Sequence, residues 1–567
     1  MNIVLVGLNA RFTHSCLALF YLRNELTTHL DAAQPTIMQF TINDPFYQLL
    51  LQLSEVRADC YFFSAAIWNS DLLVRLIEDL LKIRPHCRMV VGGPQAAIVA
   101  GALNSDRVAL VTGAFEGVEQ RFYADLAQQR LHGRYSCGGG GRNFAFPYRD
   151  SDFTTHLKNR HIYYESSRGC PFSCTYCLSA SQKDVFHKDI ATVTMELRQI
   201  LQHTPRVVRF IDRTFNDNCE RALAIWQFLA EQDCDTLFHF EISPDRFTEE
   251  MFTLLGQLPV GKFQFEIGIQ STSPATLEAI RRPMDVAVAG DVIRRLRRLE
   301  NIHLHVDLIL GLPHDNRESF LQSFNDVFAM EPHYIQMGLL KILPDTPICH
   351  TAPEDRYSFS SSPPYSVLAN RWMDHGVVRE LYWFGEAVER FFNNRYFVSL
   401  WRYLRHEHAA ITGFFSNLLQ VCYKNDFFQR APTQELLIAM LLKSLDSYGE
   451  TSSIDRDYVV ELLRYDWLRC GHRYLPAGLE VDEEHSSKVV KRKLHGFLQR
   501  SAHLGELDVE TVYSLKKGFV LAFSPVFMRK QGYGVEAGEH YLCFTPRREA
   551  ALYRFNQVVS FVIPHDS

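Results

Sequence analysis

The chain has 567 residues, with 59 Lys and Arg against 65 Asp and Glu and a formal charge of −6. That length exceeds one hydrophobic core and implies about three domains, while the charge offers no global attraction for nucleic acid. No run reaches the roughly 18 consecutive apolar residues of a membrane span.

The apolar opening, MNIVLVGLNARF, lacks the charged start of a secretory leader. The chain therefore reads as cytoplasmic, without a membrane partner, and its 13 cysteines as thiols or metal ligands rather than disulfides. Over residues 1–132, short apolar runs at 2–7, 36–43, 60–68, 88–94 and 108–113 alternate with helical patterns, the first at 14–30 and the last at 116–131. Such alternation predicts an α/β, doubly wound, Rossmann-like domain. These sheets bind ligands beyond the carboxyl ends of their strands. There the sequence places Asn9 and Arg11, then Ser64 and Trp68, then Gly92 and Gly93, and finally Gly113 and Glu116. No G-x-G-x-x-G turn or P-loop is present, so neither a dinucleotide nor ATP is inferred. Residues 133–160, with glycines from Gly138 to Gly141, read as a linker.

Alternation resumes at 161–355, with strands predicted at 161–167, 206–212, 237–243, 261–270, 302–310 and 334–343. Six β/α units make a partial barrel, open on one side, with its chemistry on the face past the strand ends. Residues 356–567 form a mainly helical α+β domain, in which Leu381, Phe384, Val388 and Phe391 recur at helical spacing from about 366 to 470. A polar break at 446–457 interrupts this helical span, and the last 60 or so residues are strand-like. The basic run from Lys488 to Arg500 reads as a solvated helix face.

Within ESSRGCPFSCTYCLSA, Cys170, Cys174 and Cys177 stand in C-x₃-C-x₂-C spacing just past the first barrel strand. Structural zinc usually takes four protein ligands in paired knuckles, and there is no second knuckle. Iron–sulfur cubes take cysteine thiolates, and three of them leave one iron open to an exogenous ligand.

This spacing, with Tyr176 before the last cysteine, resembles the radical S-adenosylmethionine (SAM) enzymes. The resemblance implies a [4Fe–4S] cluster on Cys170, Cys174 and Cys177, with SAM chelating the fourth iron. It extends to FIDRTFNDN, where Asp212, Thr214 and Phe215 are expected beside the SAM amino group or substrate, and to FEIGIQS, where Glu266, Gly268 and Gln270 are expected near SAM. VDLILGLP, with Asp307, is expected along the adenine, and LLKILPDTPI, with Leu343, matches the sixth strand and its exit loop. LNARFTHSCLALFYL and the cysteine segment further resemble the cobalamin-binding group, in a subgroup whose C-terminal domain has no assigned function. That resemblance implies cobalamin in the first domain, near Asn9, Arg11, Ser64, Trp68, Gly92, Gly93, Gly113 and Glu116. Two departures stand out. The Asp-x-His-x-x-Gly cobalt-ligand signature is absent, and His14 reads as a polar helix-start residue; GAFEGVE replaces an expected Gly-Glu-Gly-Glu at Glu116. Trp68 fits either a place against the corrin or the protein core.

The reaction implied is reductive SAM cleavage to a 5′-deoxyadenosyl radical, followed by methyl transfer to an unactivated carbon of an unidentified small molecule. An electron donor such as flavodoxin or ferredoxin would be the partner. Rearrangement or cyclisation without methyl transfer fits the same architecture. A tRNA-modifying enzyme of the methylthio-transfer type would need a second cysteine triplet, and Cys16, Cys60 and Cys87 are too far apart to form one. A non-catalytic cobalamin or redox sensor is the remaining alternative.

Overall fold

The computed structural model describes residues 1–138, 144–181, 184–407, 411–448, 454–502, 516–534 and 538–563; Gly139 to Gly141 of the expected linker, and part of the polar break, lie outside them. The first sheet is β1 (Asn2–Asn9), β2 (Gln34–Thr41), β3 (Cys60–Ser64), β4 (Arg88–Gly92), β5 (Val108–Thr112) and β6 (Arg134–Ser136). All are parallel, in the order β2-β1-β3-β4-β5-β6. Strand alternation separates two cores. Ile3, Leu5, Phe62 and Val90 pack with helix α1 (Leu17–His29) and helix Gln120–Ala127. Val4, Val6, Tyr61, Phe63 and Met89 pack with helices Phe46–Glu55, Ser70–Ile83 and Ala96–Leu103. The order reverses between β1 and β3, so a crevice opens past their carboxyl ends.

The stretch expected to be a linker is part of the fold. It supplies β6 and the helix Asp150–Thr155. Arg23 of α1 reaches that helix, 2.5 and 2.8 Å from the two Asp152 oxygens, and also donates to the Pro147 carbonyl. Both partners are buried.

The second sheet has six parallel strands in sequential order: Ile162–Tyr164, Val207–Phe210, Leu237–Ile242, Phe263–Gln270, His303–Leu310 and Tyr334–Leu339. The first and last strands remain edges, which makes the barrel partial. In the fourth strand Phe263, Phe265, Ile267 and Ile269 are buried while Gln264, Glu266, Gly268 and Gln270 are partly exposed; period-2 alternation puts the apolar set against the helices and the polar set in the lumen. At the sixth-strand edge Asn393 covers the free backbone, accepting from Ile335 N–H at 2.9 Å and donating to Ile335 C=O at 2.9 Å. That is how an exposed edge is blunted without another strand.

Helix His375–Phe391 lies on the sixth strand, where a Cβ on Gly385 would stand 3.4 Å from Met337 Cβ. Helices Val398–Glu407, Thr412–Lys424, Gln434–Tyr448 and Arg456–Arg469 follow. The span expected to be helical from 366 begins instead with a short strand, Val367–Ala369, paired with Ser358–Phe359. The C-terminal sheet is antiparallel: Phe519–Ala522, Glu539–Arg548 and Asn556–Ile563. Helix Ser487–Ala502 packs Val490 and Leu494 against it and leaves Lys488, Arg492 and Lys493 exposed. Among the described residues no helix is long and apolar enough to cross a membrane.

Replacing Arg23 with Ala strands the Asp152 carboxylate in the core. The expected loss is about 3–5 kcal/mol of stability, whereas Lys82→Ala, at the exposed Lys82–Asp79 pair, leaves the midpoint unchanged. Urea unfolding of the full chain, followed by tryptophan fluorescence, measures both.

Candidate active site

The cysteine loop leaves the first barrel strand through Ser166 and Ser167, which a buried carboxylate clamps. Asp212 accepts from Ser166 Oγ at 2.5 Å, Ser167 Oγ at 2.6 Å and Ser166 N–H at 3.0 Å. Arg221 donates to Ser166 O at 2.8 Å and to Ser166 Oγ at 2.7 Å. Burial pushes the Asp212 carboxyl up, and Arg221 and the serines oppose that. Gly169 then turns the chain at φ +103°, where a Cβ would come 2.1 Å from Asp184 O. Only glycine fits there.

Beyond this turn a cavity of ≈ 190 Å³ is lined by Cys170, Cys174, Cys177, Tyr176, Thr214, Glu266, Gly268, Gln270 and Asp307. Cys170 Sγ lies 3.7 Å from Thr214 Oγ1. Arg282 donates to the Gly268 carbonyl and places Nη1 3.7 Å from Cys174 Sγ. Among the described residues no three His, Cys, Asp or Glu groups converge as they would on a single metal ion. Three thiols around a cavity suit a group larger than one ion, and a guanidinium beside Cys174 suits the anionic charge that thiolates bring. Gln270 adds a second sign of a ligand. It sits at φ +71°, past a register shift between Gly268 and Gln270, and its buried side-chain oxygen has no partner. Strain and an unmet acceptor at a cavity wall both point to a bound group.

Three expected residues do not line this cavity. Phe215 is buried in the barrel core against Phe210, Trp226 and Phe240. Asp212 is fully buried in the serine clamp. Leu343 lies in the exit loop of the sixth strand, its carbonyl accepting from Thr346. Sequence reasoning also missed Arg213, Glu241 and Arg282, all of which line the wall. Glu241 was legible in hindsight, since it follows Phe240 in strand alternation and pairs in register with Glu266. Burial pushes Glu241 up to about 7, with Glu266 and Asp307 adding to the shift and Arg213 opposing it. Burial also raises Asp307, whose Oδ1 is 3.3 Å from His305 Nε2. For Glu266 burial acts upward, but the His239 hydrogen bond, at 3.0 Å, and Arg209 outweigh it and hold the carboxyl low.

A second cavity, ≈ 360 Å³, lies between the carboxyl edge of the first sheet and the barrel mouth. The first domain contributes Ser64, Gly92, Gly93, Gly113 and Glu116, with Tyr21, Phe62 and Phe115 as apolar wall; the barrel contributes Glu165, Ser167, Arg168, Gly169 and Ile211. Arg168 bridges the two, 2.9 Å from Glu116 and 2.6 Å from Glu165. Ser179 and Arg213 line both cavities, so the two share a wall.

Asn9, Arg11 and Trp68 do not line the second cavity. Asn9 is buried and donates to Gln39 at 3.2 Å, and Arg11 is exposed. Trp68 donates its indole N–H to Leu8 O at 3.0 Å while its ring is 53% exposed, so it is not a core tryptophan either. His14 stands in the turn before α1, its Nδ1 2.5 Å from the Tyr163 hydroxyl. Glu116 lies in a single 3₁₀ turn, Phe115–Gly117, with its carboxylate committed to Arg168.

Residues 164–327 match the radical SAM superfamily model, and residues 355–517 match a protein family of unknown function, DUF4080. The chain carries a radical SAM domain followed by a domain of that second family. It is 24% identical over 184 residues to an uncharacterized methyltransferase, PH0819, of Pyrococcus horikoshii, covering 32% of this chain and 39% of that one. It is 26% identical over 319 residues to the cobalamin-dependent radical SAM methyltransferase TokK of Streptomyces tokunonensis, covering 51% and 45%. The chain thus spans less than half the length of these curated relatives. In fold it resembles the cobalamin-dependent SAM radical enzyme OxsB solved with aqua-cobalamin, at TM-score 0.58 and 14% identity over 88% of this chain and 83% of that one.

Raising the folded-state pKa of a carboxyl favours its protonated form, so the fold loses stability as pH climbs from the ordinary value of 4.5 through about 7. Glu241→Gln in the cofactor-free chain is therefore expected to be neutral at pH 5 and stabilising at pH 8, by about 2–3 kcal/mol. Urea midpoints at the two pH values test this.

Proposed function

We propose that the chain is a cobalamin-dependent radical SAM enzyme that transfers a methyl group to an unactivated carbon of a small molecule. The observation that carries this reading is the shared wall: a cavity ringed by three cysteines opens beside a larger apolar cavity between the first sheet and the barrel, with Ser179 and Arg213 in both. The relatives agree, since TokK is named a cobalamin-dependent radical SAM methyltransferase and OxsB binds aqua-cobalamin.

Cys170, Cys174 and Cys177 would hold a [4Fe–4S] cluster, with Arg282 offsetting negative charge beside Cys174. Gln270, Glu266, Thr214 and Asp307 would bind the polar groups of SAM, and Gly268 would leave room for them, because a Cβ there would come 2.2 Å from Gln270 Nε2. Gly92, Gly93 and Gly113 would let a corrin approach the sheet edge. Bound together, these cofactors supply reductive SAM cleavage, hydrogen abstraction and a transferable methyl group. The chain's own part is to hold them on either side of a substrate and exclude water. No cobalt ligand is assigned, as His14 lines neither cavity. The methylthio-transfer alternative gains nothing, because Cys60 and Cys87 are buried in the first domain and Cys16 packs against Gly7.

After anaerobic reconstitution with iron and sulfide, wild-type protein with reductant and SAM is expected to release 5′-deoxyadenosine, and Cys174→Ala to fall to background. Methyl-labelled SAM should label a product from cell extract; deoxyadenosine without any labelled product would favour rearrangement. Gly92→Leu tests the corrin cavity. A Cβ at Gly92 meets only Val111 O, at 4.0 Å, so the variant should fold and yet retain at least tenfold less cobalamin after gel filtration, read from corrin absorbance.

A further inference from the structure

Far from both cavities, at the amino-terminal floor of the barrel, the C-terminal domain closes over a small pocket of ≈ 40 Å³. Arg297 comes from the end of barrel helix Val286–Arg298, His333 from just before the sixth strand, and Arg395 from the loop after helix His375–Phe391. Arg402 and Arg405 come from helix Val398–Glu407, and Tyr553 precedes the last strand. The cysteines lie past the opposite, carboxyl ends of the strands, so this is a separate site.

Its charges do not balance. Four arginines line the pocket, and Glu331, 3.7 Å from Arg405, is the single carboxylate in its lining. Arg297 turns outward to Glu300 at 3.7 Å, a carboxylate 73% exposed. Among the described residues Arg395 and Arg402 have no carboxylate partner; Arg395 lies over the Tyr553 ring at 5.9 Å. Like charges gathered this way repel unless an anion joins them.

A second, independent observation comes from His333, which is 3% exposed. Its Nδ1 accepts the Leu304 N–H at 3.1 Å. A neutral ring then carries its proton on Nε2, and that buried donor has no partner. Burial and the neighbouring arginines hold the ring neutral, well below the ordinary histidine range. An unmet N–H beside four arginines, two of them without a carboxylate partner, is a donor set for an oxyanion. The volume holds about three waters by the usual measure, enough for a tetrahedral ion and too little for a nucleoside.

We propose that this pocket binds a small oxyanion of the phosphate class, either free or as the terminal phosphoryl group of a larger ligand, and that the ion ties the C-terminal domain to the barrel floor. The proposal does not rest on the cofactor reading, and its test needs no loaded enzyme. The full chain would be titrated with inorganic phosphate by calorimetry at constant ionic strength, with chloride as the matched salt, and its melting temperature followed in parallel. Saturable binding that raises the melting temperature is expected. Arg402→Ala, at an exposed position, and Arg395→Gln should each weaken it at least tenfold. Arg492→Ala, which removes the same charge from the exposed basic helix, should leave it unchanged.

A parallel titration with ATP separates the sources. Tighter binding than phosphate, lost in Arg402→Ala, assigns the site to a phosphoryl end; weaker binding assigns it to the free ion. Absence of saturable binding by either probe, or equal binding in Arg402→Ala with its fold intact by circular dichroism, would overturn the proposal.

Discussion

Everything at the candidate site depends on a single buried carboxylate. Asp212 gathers two serine hydroxyls and a backbone N–H immediately before the cysteine loop, and Arg221 completes the set from the next helix. A buried charge persists only where it is paired and hydrogen-bonded, so the second barrel strand fixes where the first one releases the chain. Gly169 turns the chain two residues after the clamp, and Cys170 follows. The residue that a family resemblance places beside SAM thus acts here one step back, by positioning the loop that carries the cysteines.

The same short segment also joins the domains. Arg168, between the clamp and the cysteines, ion-pairs with Glu116 of the first domain and Glu165 of its own, with all three largely buried. Its partners converge from both sides of the larger cavity, so the gap between sheet edge and barrel mouth is held at a set width. The Arg23–Asp152 pair does comparable work behind the first sheet, fastening the connecting segment to α1. On the proposed reading, that fixed separation would hold two cofactors at a set distance from a shared substrate, and reactivity falls steeply when reacting groups are misplaced.

The C-terminal domain solves a different problem. A six-strand barrel has two open edges, and edges invite unwanted pairing. Asn393 meets both backbone groups of Ile335 with its amide, and helix His375–Phe391 packs on the sixth strand as the other barrel helices pack on theirs. At the floor the domain brings Arg395, Arg402 and Arg405 against Arg297. That concentration of charge is invisible along the chain, where the four are scattered over more than 100 residues.

Local pattern determined much of this protein. Apolar runs of strand length alternating with helical stripes were enough for both parallel sheets, and all six barrel strands lie where the sequence places them, because strand period and burial are local properties. The three cysteines were legible for the same reason: their motif is only eight residues long. Glycines at strand ends were legible as points of close approach, and Gly92, Gly93 and Gly113 do line the larger cavity. Only the tertiary structure decided which polar residues face a cavity and which face the protein. Asp212 and Asn9 are spent on internal hydrogen bonds, Trp68 lies out in solvent, Glu241 and Arg282 reach the cavity wall from segments with no motif of their own, and Arg213 reaches it from between two motif residues. The reason is physical: a strand fixes which side a residue takes, but its distance from a partner 40 or 100 residues away is set by how sheets, helices and domains pack.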